Sequence, residues 1–190
     1  MRDYISYSQM VSFEKGKYYE EYLLGRKFTN AEMRYGRKIA DGLIDKKNKE
    51  WDIEFLRTWL PEPDEREKEI LIAVDSVPVL VKMDGFTKKG LIIDEYKTGK
   101  SAWTQKKVDA SDQITIYSMV VWKKYKKNLK IRFHWIPTHD IDGKVVITGE
   151  MPKTFATQRS IKDYMLMFSR LKQAYLGIKE LRKLYADNHS

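Results

Sequence analysis

Asp84, Glu95 and Lys97 have the residue types and the spacing for chemistry on a phosphodiester. They lie in the stretch VLVKMDGFTKKGLIIDEYK, residues 79–97, which reads as two strands: short apolar runs rich in Val, Ile and Leu, parted by the turn-forming Lys88-Lys89-Gly90. Side chains alternate along a strand, so Glu95 and Lys97 share one face while Asp94 and Tyr96 share the other. A hairpin pairing the two runs would set Asp84 beside Glu95. Two converging carboxylates favour a hard divalent cation such as Mg²⁺ or Mn²⁺, which prefers oxygen ligands. An ammonium next to that cation can orient a water or steady the charge on a phosphate. This is the minimum apparatus for metal-assisted phosphodiester cleavage.

Each of these residues also has a plain structural reading. Asp84-Gly85 is a common turn pair, and Glu95 and Lys97 could be an ordinary exposed strand pair. They follow Leu91-Ile92-Ile93, however, a run typical of a buried central strand, where unpaired charges are costly and function is the usual reason to keep them. Asp94, on the opposite face, is expected outside any metal shell. Downstream, Gln113 and Tyr117 sit four apart and are neighbours on one helix face. His134, His139 and His189 show no metal-ligand spacing, and each reads as structural or solvated. No P-loop, Gly-rich dinucleotide fingerprint or nucleophile motif appears.

The surrounding pattern supplies elements to hold these residues. Ser6 offers an N-cap to a helical pattern between Ile5 and Tyr22. A second helix opens at Asn30, with Ala31, Tyr35, Ile39 and Leu43 as its buried stripe. A third covers Lys49 to Leu60, and its Trp51, Phe55 and Trp59 read as core. Pro61-Glu62-Pro63 ends this region. Strands are expected over 69–74, 78–84 and 90–97, then a helix over 111–127, strands over 130–136 and 145–148, and a long helix from about 157 to 184. Its apolar side is expected to carry Ile161, Tyr164, Met165, Phe168, Leu171 and Tyr175. This order predicts an α/β fold: a central mixed sheet flanked by helices, with an N-terminal helical region.

The 190 residues are expected to form one domain: a helical part (1–60), a sheet with the Gln113 helix (69–150) and a C-terminal helix (157–186). The hydrophobic content, 42%, can furnish a core. No apolar run is long enough to cross a bilayer and the first residues lack a signal-peptide core, so a cytoplasmic protein without a membrane partner is expected. The chain has no cysteine, which excludes disulfides and thiolate metal sites. A net charge of +9 makes a polyanionic partner electrostatically reasonable. Lys88, Lys89, Lys100, Lys106, Lys107 and the run 123–127 flank the acidic centre in sequence, where lysines bind phosphates without reading bases.

These residues resemble the PD-(D/E)xK nucleases, and within them the RecB-type domain found also in phage exonucleases. The resemblance rests on Asp84-Gly85, then Glu95-Tyr96-Lys97-Thr98-Gly99, then Gln113 to Tyr117 as Q-x-x-x-Y. It implies a metal-dependent deoxyribonuclease, by preference an exonuclease of recombination, repair or phage DNA processing in a bacterial or phage-infected cell. Asp84, Glu95 and the Tyr96 carbonyl would hold Mg²⁺ or Mn²⁺, and Lys97 would act on water or phosphate. Gln113 and Tyr117 would support the site or touch DNA, with Thr98, Lys100, Lys88 and Lys89 on phosphates. A homo-oligomer or a helicase or recombination partner is also implied. Members of the group that carry an iron–sulfur cluster bind it through four cysteines, so this chain holds none. Many members place G-x-x-x-H on an N-terminal helix, and here Gly36 is followed by Ala40 where the imidazole would stand. Asp41 and Glu32 are the carboxylates that could substitute. The alternative is a non-catalytic or partner-dependent nucleic-acid-binding module on the same fold.

Overall fold

The computed structural model describes residues 3–26 and 28–189. The chain opens with helix α1 (Tyr7–Glu14), closed at its start by a capping box between Ser6 and Gln9. Gly16 in the left-handed region ends it, and a π-helical turn, Tyr19–Leu23, follows. The expected single helix from Ile5 to Tyr22 is thus two pieces. Helix α2 (Ala31–Ile44), capped by Asn30, and helix α3 (Trp51–Trp59) come next. Strands β1 (Glu65–Val74), β2 (Val77–Thr87) and β3 (Ile92–Gly99) form an antiparallel meander. Asp75 and Ser76 both take positive φ, which suits a tight hairpin between β1 and β2. A short helix α4 (Gln105–Asp109) and helix α5 (Asp112–Tyr125) cross over to β4 (Lys130–Ile141), which runs parallel to β3.

Strand β4 serves two partners. Its second half pairs with β5 (Lys144–Ile147) across the Asp142-Gly143 turn, and its first half with β6 (Lys153–Thr157). Helix α6 (Ile161–Asp187) closes the chain. The result is a six-stranded mixed sheet with helices on both faces. Two cores form, one on each side. On one side Met10, Ile116, Val120 and Leu171 pack over Val81 and Phe133; on the other Tyr35, Ile39, Ile53 and Leu56 pack over Ile136 and Ile147. Full burial of each such side chain contributes roughly 1.5–3 kcal/mol.

Three expectations are corrected. Trp51 and Trp59 are 62% and 51% exposed; the inward face of α3 is Ile53 and Leu56, with Leu60 just beyond its end. On α6, Ile161 and Met165 point outward, while Met167, Ala174 and Ile178 join Tyr164, Leu171 and Tyr175 in the core. His139 lies within β4 rather than in a turn. Helix α4 and strand β6 were not anticipated. Among the described residues no helix is long and apolar enough to cross a membrane.

Candidate active site

Strands β2 and β3 are paired over only three positions, Gly85↔Asp94, Phe86↔Ile93 and Thr87↔Ile92, and then part. The chain's own beginning enters beside β2: the Ile5 amide donates to the Pro78 carbonyl and the Leu80 amide to the Ile5 carbonyl, both at 2.9 Å. Asp84 and Glu95 stand where the two strands diverge. The Tyr96 amide donates to Asp84 Oδ2 at 2.8 Å, so a side chain takes over the ladder bond where the backbones separate.

Glu95 is 1% exposed. The Lys97 ammonium lies 2.5 Å from its Oε1 in a salt bridge, yet neither buried Glu95 oxygen has a well-aligned hydrogen-bond partner. Burial and the neighbouring Asp84 charge push its carboxyl up to about 7, against the pull of Lys97 and Gln113. Asp84 is raised as well, chiefly by burial, although Lys97 and the Tyr96 amide oppose the shift. For Lys97 burial pulls the other way, but Glu95 and Asp84 outweigh it and hold the ammonium above its ordinary range. The lysine is therefore charged.

Helix α5 supplies the next layer. Gln113 Nε2 donates to Tyr117 Oη, and that hydroxyl donates to the Lys82 carbonyl, each at 2.6 Å. Burial and the Glu95 charge keep the Tyr117 phenol neutral, far above its usual titration. The pair thus fastens α5 to β2 two residues before Asp84. Helix α2 forms the opposite wall. A Cβ on Gly36 would come within 3.0 Å of Thr98 Oγ1, so glycine there lets α2 approach β3 closely. Between them lies a cleft of about 470 Å³, lined by Glu32, Gly36, Ala40, Asp84, Lys97 and Thr98 among others.

The remaining sequence candidates are dispersed. Ala40 and Asp84 line the same cleft. Glu32 lines the cleft but lies two turns from Ala40 and 3.6 Å from the Lys100 ammonium, which also reaches Asp140 at 3.7 Å. Asp41, one residue past Ala40, is turned to another surface, beside Arg34, Arg37 and Lys38. Among the described residues no three His, Asp or Glu side chains gather as metal ligands. Lys88 and Lys89 sit in the turn at the far end of the hairpin, about 13 Å along the strand from Asp84. Tyr7, which the sequence did not single out, is carried to the site by the entering Ile5 segment. Burial first, then Asp112, raises its phenol; Lys97 and Glu95 act on it too.

The donor set fits a divalent cation. The buried Glu95 and the half-buried Asp84 repel one another, and neither Glu95 oxygen has a well-aligned hydrogen-bond partner, a state that a hard cation would relieve. Two protein carboxylates, with water and phosphate oxygens completing the shell, is a usual arrangement for Mg²⁺.

The reverse face of β3 is wholly different. Asp94 accepts two bonds from Arg132, at 2.7 and 2.8 Å, and its Oδ1 lies 2.8 Å from His134 Nε2. Thr154 Oγ1 is 2.9 Å from the other ring nitrogen, and the ring stacks on Tyr96. Burial works to raise Asp94, but His134 and Arg132 outweigh it and hold the carboxyl below its ordinary range.

No protein-family model matches the chain, and no curated protein matches it. Its fold is shared with solved structures. A protein from Eubacterium rectale named "Putative exonuclease" aligns with a TM-score of 0.54 and 13% identity, over 97% of this chain and 82% of that one. The protein SSO0001 aligns with a TM-score of 0.57 and 15% identity, over 94% and 77%. An alkaline exonuclease from Laribacter hongkongensis aligns with a TM-score of 0.44 and 11% identity, over 97% and 94%. The α/β class and the helix-flanked mixed sheet expected from the sequence are therefore those observed.

Proposed function

We propose that this chain is a Mg²⁺- or Mn²⁺-dependent deoxyribonuclease, and that it acts as an exonuclease in recombination, repair or phage DNA processing. The observation that carries the reading is Glu95: a buried carboxylate paired with Lys97, with no well-aligned hydrogen-bond partner, facing Asp84 where two strands part. Asp84 and Glu95, with the Tyr96 carbonyl, would hold the cation. When bound, it supplies Lewis acidity toward a phosphate oxygen and lowers the pKa of a coordinated water. Lys97 stays protonated beside Glu95 and Asp84 and donates hydrogen bonds to a phosphate oxygen or to the attacking water. Gln113 and Tyr117 keep α5 fixed against β2, and thereby hold the Asp84 backbone in register. The exonuclease mode, the cytoplasmic setting and a second copy or helicase partner follow from the resemblance of the motif.

A second reading, a nucleic-acid-binding module without turnover, draws on Ala40, which brings no ligand to the cleft. One experiment separates the two. End-labelled linear DNA and closed circular DNA are incubated with Mn²⁺, Mg²⁺ or EDTA, with wild type and with Lys97→Ala. Metal-dependent loss of linear DNA alone, abolished in the variant, supports the exonuclease, and cut circles would mean an endonuclease. Absence of cleavage with every metal would leave the binding module.

A further inference from the structure

The cleft at Asp84 continues past the site. Ala40, Leu43, Asp84 and Tyr96 also line a neck of only about 10 Å³, room for one water, bounded by Arg66. Beyond it, Leu43 and Arg66 line a second cleft of about 570 Å³ between α2, α3 and the link to β1. From Gly36 to Ile44 the groove follows α2 for roughly 12 Å, the rise of eight helical residues.

Its charge reverses along the way. The first cleft centres on two carboxylates, whereas the second is lined by Lys46, Lys49, Arg57 and Arg66 against Glu54 and Glu62. Arg57 is committed to the fold, donating to the carbonyls of Gly42, Asp45 and Asn48. Lys46 and Lys49 hold Glu62 and Glu54 at 3.1 Å in exposed pairs, which a competing phosphate can open at little cost. Arg66 forms no ion pair among the described residues; its guanidinium lies 5.9 Å from the centre of the Tyr96 ring. A planar guanidinium braced on an aromatic face is prepared for bidentate recognition of a phosphate. In the neck, Glu67 is neutralised by Lys82 and so does not repel an anion there.

We infer that this second cleft binds the phosphodiester backbone of a single nucleic-acid strand continuous with the one at Asp84. Arg66 holds the phosphate nearest the cleavage site, and Lys46 and Lys49 hold those beyond. The inference rests on the nuclease reading for its polarity from Asp84, but binding tests it apart from turnover.

The test is the anisotropy of a fluorescent single-stranded DNA oligonucleotide titrated with the full chain in EDTA, at several salt concentrations. Arg66→Ala and the double variant Lys46→Ala/Lys49→Ala should each bind about tenfold more weakly. The slope of log affinity against log salt should fall by about 0.7 for each phosphate deprived of its cationic side chain. Arg66→Lys, which keeps the charge, should recover part of the affinity, while Lys172→Ala/Lys183→Ala, on the exposed side of α6, should bind as wild type. Unchanged binding by both groove variants would overturn the inference, and so would an equal loss in the Lys172/Lys183 variant. The nuclease reading fails by a different signature: no cleavage by wild type with any metal, and Mn²⁺ binding by calorimetry unaltered in Asp84→Asn.

Discussion

Asp94 and Glu95 are neighbours on β3, both buried, at 0% and 1% exposure, and they face opposite sides of the sheet. Asp94 has a bidentate arginine and a histidine, and its carboxyl is held low. Glu95 has the Lys97 ammonium beside it but no well-aligned hydrogen bond, and is pushed up to about 7. Burial alone therefore says nothing about role. A buried carboxylate whose lone pairs are filled by the protein needs no ligand to satisfy it, whereas one without aligned donors is a candidate for binding one. The structure sets these two environments side by side on one strand.

The largest effect should come from the reactive side. Lys97→Ala is expected to lower the initial rate of metal-dependent DNA cleavage by about 10³-fold, the scale seen on removing one preorganised donor to developing charge. Retained Mn²⁺-dependent DNA binding would show that the loss is chemical. Full activity in this variant would remove Lys97 from the mechanism and the reactive edge from the comparison.

Next comes the supporting side. Asp94→Ala leaves Arg132 and the buried His134 without their carboxylate, and breaking such a pair costs about 3 kcal/mol. A urea unfolding midpoint would read it. Glu95→Gln removes a charge that Asp84 repels, and its unfolding free energy should lie within about 1 kcal/mol of wild type, while calorimetry shows weaker Mn²⁺ binding. If Glu95→Gln unfolded as readily as Asp94→Ala, Glu95 would be a structural residue and the contrast would collapse.

The hairpin of β2 and β3 was legible because its two apolar runs and basic turn are local, and alternation alone assigned Asp94 and Glu95 to opposite faces. The partners of Asp94 were not legible. Arg132 and His134 reach it through the parallel register of β4, fixed only after a crossover of two helices. Tyr7 and Arg66 escaped for the same reason, since each meets the site through a contact distant in sequence. Strand β6 carries no apolar run and is defined by its pairing with β4. Helix α3 shows a different failure. Its aromatic stripe and the Ile53, Leu56, Leu60 stripe both satisfy helical spacing, and only packing selects the second. Leu56→Ala should therefore cost about 2–5 kcal/mol, and Trp51→Ala less than about 1 kcal/mol, measured by the same unfolding titration. The reverse order would restore the aromatic face to the core.

A third kind of carboxylate sharpens the comparison from the surface. Asp163 accepts from both the amide and the hydroxyl of Ser160, at 2.7 Å each, and closes the capping box of α6. The Ser160 hydroxyl, then its amide, lower the Asp163 carboxyl below its ordinary value. A group lowered on folding contributes stability above its unfolded pKa, near 3.9, and that contribution is lost as pH falls through the folded value. Ser160→Ala should therefore destabilise by about 1 kcal/mol at neutral pH, and its deficit relative to wild type should shrink as the pH is taken below about 4. A deficit that stays constant down to pH 2 would mean that the neutral hydroxyl cap alone matters. The difference between Asp163 and Asp94 would then be one of charge rather than of how completely the lone pairs are filled.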